Sequence, residues 1–343
     1  MNGSIKKEML FFKEQGFFET PKICQIEITT VCPLKCPQCY KSLTPKHANF
    51  EALCKRLEEA KKAGVGSIMI NGGEPMMHPY FLKLISYISD KLLLDVYCFL
   101  SGYGITENVA KKLDNKKVHI TFSLNGSIQE INDKSRDGYD YAVNAFQIFK
   151  GLSIPCGINW VGRKDNVGDF ENLIKFAEEN GVKWINVISN KLSCGEIKSA
   201  MAYEDYQYLS EVIKKYRNKG KVDIQIEGCN SLLNYFLYQK KLPITFNGCQ
   251  AGRMVYFIDI DGNYMPCSHL QYKEKFSDIM SYWKRSKVLH MLRQSNGMEK
   301  CSGCKYAAHC FVCKASSQET HDDFFACNKA CVLRKEIEDE EHY

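Results

Sequence analysis

The sequence contains no uninterrupted apolar run of eighteen residues, so no membrane-spanning helix is expected. No stretch near its start has the make-up of a signal peptide, which argues against a secreted chain held together by disulfides. The 46 Lys and Arg are scattered among 40 Asp and Glu, giving a net charge of +6 with an acidic end over 336–341, and this is not the stripe that binds nucleic acid. There is no low-complexity linker, and no internal repeat beyond a strand–helix unit. What the chain has in excess is cysteine, 17 residues in 343, with enough hydrophobic content (45%) to build real cores. A reducing cytoplasm keeps such thiols available for metal, so a cytoplasmic location is expected.

Three of the cysteines, Cys32, Cys36 and Cys39, fall within eight residues. Their x3 and x2 spacing lets a small loop converge on one iron–sulfur cube, whereas zinc wants four closed ligands and no fourth is evident here. Three thiolates leave one iron of a four-iron cluster open to a cofactor or substrate. The loop follows an alternating stretch, 25–29, that reads as a strand. Further strands are expected over 67–71, 93–100, 118–123, 154–161 and 183–188. Helices are expected over 49–63, 80–91, 106–113, 139–149 and 169–180, with another over 203–218 closing the region. Six such units imply a parallel sheet with helices outside, the setting in which ligands gather at the strands' C-terminal ends. The segment 9–18, with four Phe, reads as a helix packed under this sheet or as a reduced docking surface.

The loop, the Asn71-Gly72-Gly73-Glu74-Pro75 turn and the Ser123-Leu124-Asn125-Gly126 segment together resemble the radical S-adenosylmethionine (SAM) enzymes. The resemblance implies an open six-stranded partial TIM barrel, (β/α)6, with a [4Fe-4S] cluster on the three cysteines. It implies that Gly72, Gly73, Glu74 and Pro75 bind the SAM amino group, and that Ser123 and Asn125 lie near the ribose or substrate. Asn125 stands where Asp is commoner. Gln38 stands where an aromatic usually covers the adenine, with Tyr40 just outside. Asn132 to Arg136 resembles a downstream H-D-x-x-R stretch without its His, and Arg136 reads there as a surface cation.

Beyond residue 245 the chain resembles a SPASM domain, a cysteine-rich extension that carries two auxiliary [4Fe-4S] clusters. Cys249 precedes a hairpin over 254–260 and 264–267 that turns at Asp261-Gly262-Asn263, and a helix starts at Asp278-Ile279. Cys301, Cys304, Cys310, Cys313, Cys327 and Cys331 follow. The resemblance assigns Cys249, Cys267 and Cys313 to one cluster and Cys301, Cys304 and Cys310 to the other, with Cys327 and Cys331 filling corners. Two zinc sites remain the alternative. The implied organisation is an N-terminal segment 1–20, a barrel 21–245 and an auxiliary domain 246–343.

Of the other cysteines, Cys24, Cys54, Cys98 and Cys156 read as small buried hydrophobes. Cys194, in a polar loop, and Cys229, after a short strand, are candidate hydrogen-atom donors. His269, two residues past Cys267, is a candidate proton acceptor, and Ser268 holds the place where sulfatase-maturing relatives carry an acid. The implied reaction is reductive cleavage of SAM to a 5′-deoxyadenosyl radical that takes hydrogen from a substrate. That substrate is a ribosomally made peptide, or alternatively a small molecule such as a carbohydrate, and electrons come from a donor such as flavodoxin or ferredoxin. A non-catalytic iron–sulfur scaffold is the reading from another class.

Overall fold

The computed structural model describes residues 3–41, 44–191, 197–217, 220–238, 248–294 and 313–316. Each expected barrel strand is present: β1 (Ile23–Thr29), β2 (Ser67–Gly72), β3 (Asp95–Leu100), β4 (Val118–Ser123), β5 (Gly157–Gly162) and β6 (Trp184–Ser189). The short strand before Cys229 is β7 (Asp223–Ile226), which adds a seventh parallel member beside β6. The hairpin supplies β8 (Val255–Ile258), parallel to β1, and β9 (Tyr264–Met265), antiparallel to β8. One sheet therefore runs β7-β6-β5-β4-β3-β2-β1-β8-β9, the open α/β partial barrel implied by the sequence, extended at both edges.

Because β1 to β8 are parallel, the loops leaving β1, β2, β3 and β4 emerge at the same edge of the sheet. Helices cover the sheet with the faces their spacing dictates. Leu53, Leu57 and Ala60 are the buried side of Phe50–Lys62, and Phe170, Leu173, Ile174 and Ala177 that of Phe170–Glu179. The helix starts read from sequence are real caps: the Asn49 side chain accepts from Ala52 N, and Thr106 from Val109 N. The expected helix over 80–91 is instead Phe81–Ser86 followed by a wider π turn at Tyr87–Lys91. No helix among the described residues is long and apolar enough to cross a membrane.

The Phe-rich start is a packing element. Helix Gly3–Gln15 leads into a tight knot in which Phe12 and Phe18 are buried, with ring centroids 4.6 Å apart. Trp283 Nε1 donates to Phe18 O at 3.0 Å, and the Arg293 guanidinium lies 4.3 Å from the Phe17 ring and 4.6 Å from that of Trp283. The segment thus joins the elements that follow the hairpin.

Asp278 caps helix Ile279–Arg285, accepting from Ser281 N at 2.8 Å. That bond, with those from Ser277 and Ser281 hydroxyls, holds its carboxyl below the usual range, from 3.8 to about 2. A depressed acid adds stability above its unfolded pKa and loses it as pH falls through the folded one. Asp278→Ala should therefore lower the melting temperature at pH 7, and the gap from the parent should close between pH 3.8 and about pH 2; a gap independent of pH would refute the cap.

Candidate metal and cofactor site

The loop after β1 is tied down before it reaches its cysteines. Thr29 Oγ1 lies 2.9 Å from His47 Nδ1 and accepts from Val31 N at 3.1 Å, and Thr30 Oγ1 accepts from Lys46 N at 2.9 Å. Lys35 N donates to Asp137 at 3.0 Å, Gln38 N to Ser135 O at 3.1 Å and Cys39 N to Cys36 O at 3.0 Å. The loop's far end is fixed by Lys41, paired with the buried Glu27 on β1, whose other oxygen accepts from Ile260 N in the hairpin at 3.2 Å.

The turn after β2 interlocks with this loop. Gly73 N donates to Thr29 O at 2.8 Å and Glu74 N to Val31 O at 2.9 Å. A Cβ on Gly72 would sit 2.7 Å from Thr29 O, and one on Gly73 would sit 2.4 Å from Val31 O. Only glycine lets the two backbones meet so closely. Pro75 opens a single 3-10 turn, Pro75–Met77, capped by the Glu74 side chain.

These pieces enclose a cavity of about 220 Å³, lined by Cys32, Cys36, Cys39, Gln38, Tyr40, Gly72, Gly73, Glu74, Ser123 and, from outside the expected set, Asn71, Ser101 and Arg136 among others. Glu74 is 1% exposed. Its Oε2 accepts from Ser101 N at 2.7 Å and Ser101 Oγ at 2.5 Å, and its Oε1 from Met76 N at 3.1 Å, leaving one of four acceptor positions uncommitted. Burial pushes its pKa up, opposed by those bonds and by the Arg136 charge. The Cys32 thiol is also raised, first by burial and then, against a bond from the Leu34 backbone, by Glu74, Cys36 and Cys39. Several groups that would be anionic thus share one wall, an arrangement that a cationic metal core relieves.

Arg136 turns inward. Its Nε is buried without a hydrogen-bond partner among the described residues, so the cavity holds an unspent donor suited to a carboxylate. Among the described residues no three His, Cys, Asp or Glu side chains are drawn together as a single metal ion requires. The fit to a [4Fe-4S] cluster and SAM rests on the donor set: soft thiols, one buried carboxylate and a guanidinium with an unpartnered Nε–H around one cavity.

Asn125 is placed differently from the expectation. It is 1% exposed and is not among the cavity's lining residues. Its Nδ2 donates to Gln38 Oε1 at 3.1 Å and Ser135 Oγ at 2.8 Å, while its Oδ1 accepts from Val161 N at 3.1 Å. Asn125 therefore carries Gln38 from beneath, which is why an amide, with donors and an acceptor together, suits this position.

A second gathering of cysteines is built around the hairpin. Cys249 and Cys313 are buried, and the Cys229 thiol lies beside both. Cys267 is close enough to feel their charge. Directly after Cys229, Asn230 and Ser231 are buried with side-chain polar atoms that have no partner among the described residues. Lys191, salt-bridged to Glu227 at 2.6 Å and 10% exposed, acts electrostatically on Cys229 and Cys313. His269 joins the two gatherings: its ring lies 4.0 Å from that of Tyr40, centroid to centroid. Burial, with the Lys191 charge, pushes its pKa down to about 3, so the ring is neutral at physiological pH. Cys24, Cys98 and Cys156 are buried core thiols, and Cys54 is partly exposed. Cys194, Cys301, Cys304, Cys310, Cys327 and Cys331 lie outside the described residues.

Sequence reasoning missed the inward turn of Arg136, the role of Ser101 and the company of Cys229. The only signal for the first was its place in the 132–136 segment, and Ser101 carried no motif at all.

Comparison with known proteins agrees with this geometry. The chain is 20% identical to the AdoMet-dependent heme synthase of Methanosarcina barkeri over 92% of its own length and 97% of the relative's. It is 25% identical to the mycofactocin maturase MftC of Mycobacterium tuberculosis over 87% and 78%. Streptococcus suis SuiB bound to its precursor peptide SuiA superposes with a TM-score of 0.79 at 20% identity, covering 96% of this chain and 80% of that one, which is a likeness of fold. Residues 26–177 match the Radical SAM superfamily model, and with the thiol loop, the Gly-Gly-Glu-Pro turn and the open barrel in place, this part of the chain is a radical SAM domain.

Proposed function

We propose that the chain holds a [4Fe-4S] cluster on Cys32, Cys36 and Cys39, binds SAM beside it, and oxidatively modifies or crosslinks a ribosomally made peptide. The observation that carries this is the single cavity in which those thiols face Glu74 and Arg136. When bound, cluster and SAM supply a 5′-deoxyadenosyl radical able to take hydrogen from an unactivated carbon. Glu74 offers its remaining acceptor position to an ammonium, and Arg136 offers its free Nε–H to a carboxylate, so the two ends of an amino acid are held by opposite charges. Ser101 fixes the Glu74 carboxylate in place, and the interlocked Gly72-Gly73 backbone keeps that carboxylate at a set distance from the thiol loop. Gln38, propped by Asn125, and Ser123 complete the wall.

We further assign residues 246–343 to an auxiliary domain holding two more [4Fe-4S] clusters, after a barrel over 21–245 and a segment over 1–20. A cytoplasmic location and a flavodoxin or ferredoxin donor belong to the same proposal. The peptide reading is supported by the names of MftC, a maturase, and of SuiB, bound to a precursor peptide. A small-molecule substrate is the second reading, favoured by the near end-to-end match with a heme synthase.

One anaerobic assay separates these. Reconstituted protein given reductant and SAM should release 5′-deoxyadenosine, and absence of that product would leave only a scaffold. Candidate precursor peptides added to the same mixture should lose mass in steps of two hydrogens. Turnover of a small molecule with no peptide altered would transfer the assignment to the second reading.

A further inference from the structure

We propose that Cys229 is the fourth protein ligand of the first auxiliary cluster, closing it with Cys249, Cys267 and Cys313. This rests on the auxiliary-cluster reading above and goes beyond it by assigning that cluster's fourth corner, which the resemblance left to Cys327 or Cys331. Cys229 lies beside the buried Cys249 and Cys313, and Cys267, at the far end of the hairpin, is within electrostatic reach of both, so the four thiols gather at one place. Cys229 arrives from the barrel, at the end of the segment after β7, whereas Cys249 and Cys267 flank the hairpin strands. The orphaned polar atoms of Asn230 and Ser231 follow it directly. Buried N–H and O–H groups without partners are what an iron–sulfur core, rich in sulfur acceptors, satisfies.

The consequence is functional. A cube with four protein thiolates offers no position to a substrate donor atom, so electrons enter and leave it with no bond formed at iron. It also revises the ligand count: Cys301, Cys304 and Cys310 then need only one of Cys327 and Cys331, and the other thiol is left over.

The test uses the full chain with Cys32, Cys36 and Cys39 replaced by Ala and reconstituted without oxygen, so that only auxiliary iron is seen. This parent should bind about eight irons, and its reduced electron paramagnetic resonance spectrum should not shift when 2-mercaptoethanol or imidazole is added. Adding Cys229→Ala should lose about half that iron, or keep it with one signal that now shifts on adding thiol. Cys229→Ser, which preserves volume, guards against a variant that fails to fold, and Cys54→Ala is the control for loss of any thiol. The inference falls if both Cys229 variants keep the parental iron and spectrum, or if the parent itself already responds to added thiol. A parent without iron would reject the auxiliary-cluster reading, and this inference with it.

Discussion

Cys36→Ala is expected to abolish 5′-deoxyadenosine formation and to lower iron from about twelve to about eight atoms per chain. Three thiols ring the cavity, and two cannot hold a cube that three already leave with one open corner. The loss should be total rather than graded, because no other thiol among the described residues lines the cavity, and the Glu74 carboxylate has three of its acceptor positions filled from within the protein. The fold should survive, since the loop is anchored by Thr29, Thr30, Ser135 and Asp137 rather than by Cys36 alone. Iron analysis and product chromatography on the same sample decide it. SAM cleavage that persists in the variant would refute the site.

Gly73→Ala tests the interlock independently of iron. The added Cβ would stand 2.4 Å from Val31 O and 2.8 Å from Thr30 O, both backbone atoms with little room to retreat. Overpacking of this kind costs about 1–3 kcal/mol, and here the strain falls between the thiol loop and the Glu74 turn. SAM affinity should drop about ten- to hundred-fold, since each tenfold is about 1.4 kcal/mol. Equilibrium binding measured on iron-reconstituted protein reads this directly. Gly151→Ala is the matched control, because nothing lies within 4 Å of the Cβ it would carry. Equal affinity in the two variants would mean the turn does not position the cofactor.

The strands and helix starts were legible because each is written in a few neighbouring residues. The Asn49, Thr106 and Asp278 caps, for example, bond only three positions ahead. The thiol loop and the Gly-Gly-Glu-Pro turn were equally local. Asn125 shows where this ends: its partners Gln38 and Val161 lie 87 and 36 residues away, so a single letter reveals a departure from Asp but not what the amide holds. Arg136 reads as a surface cation until the backbone turns it into the cavity, and Cys229 reads as a lone candidate hydrogen-atom donor because no spacing links it to Cys249 and Cys313. The short β7 offered only four residues of alternation, too few to count as a barrel strand in advance.

The hairpin's place in the sheet has a further meaning. β8 pairs along β1 from Ile23↔Val255 to Ile26↔Ile258, on the side of β1 opposite β2. A fragment ending before the hairpin would bare that flank of β1, leaving unsatisfied amides and carbonyls open to sticking between copies. The strand that launches the thiol loop is therefore finished by residues more than two hundred positions later, and neither half of the chain is a self-sufficient unit for making the catalytic end.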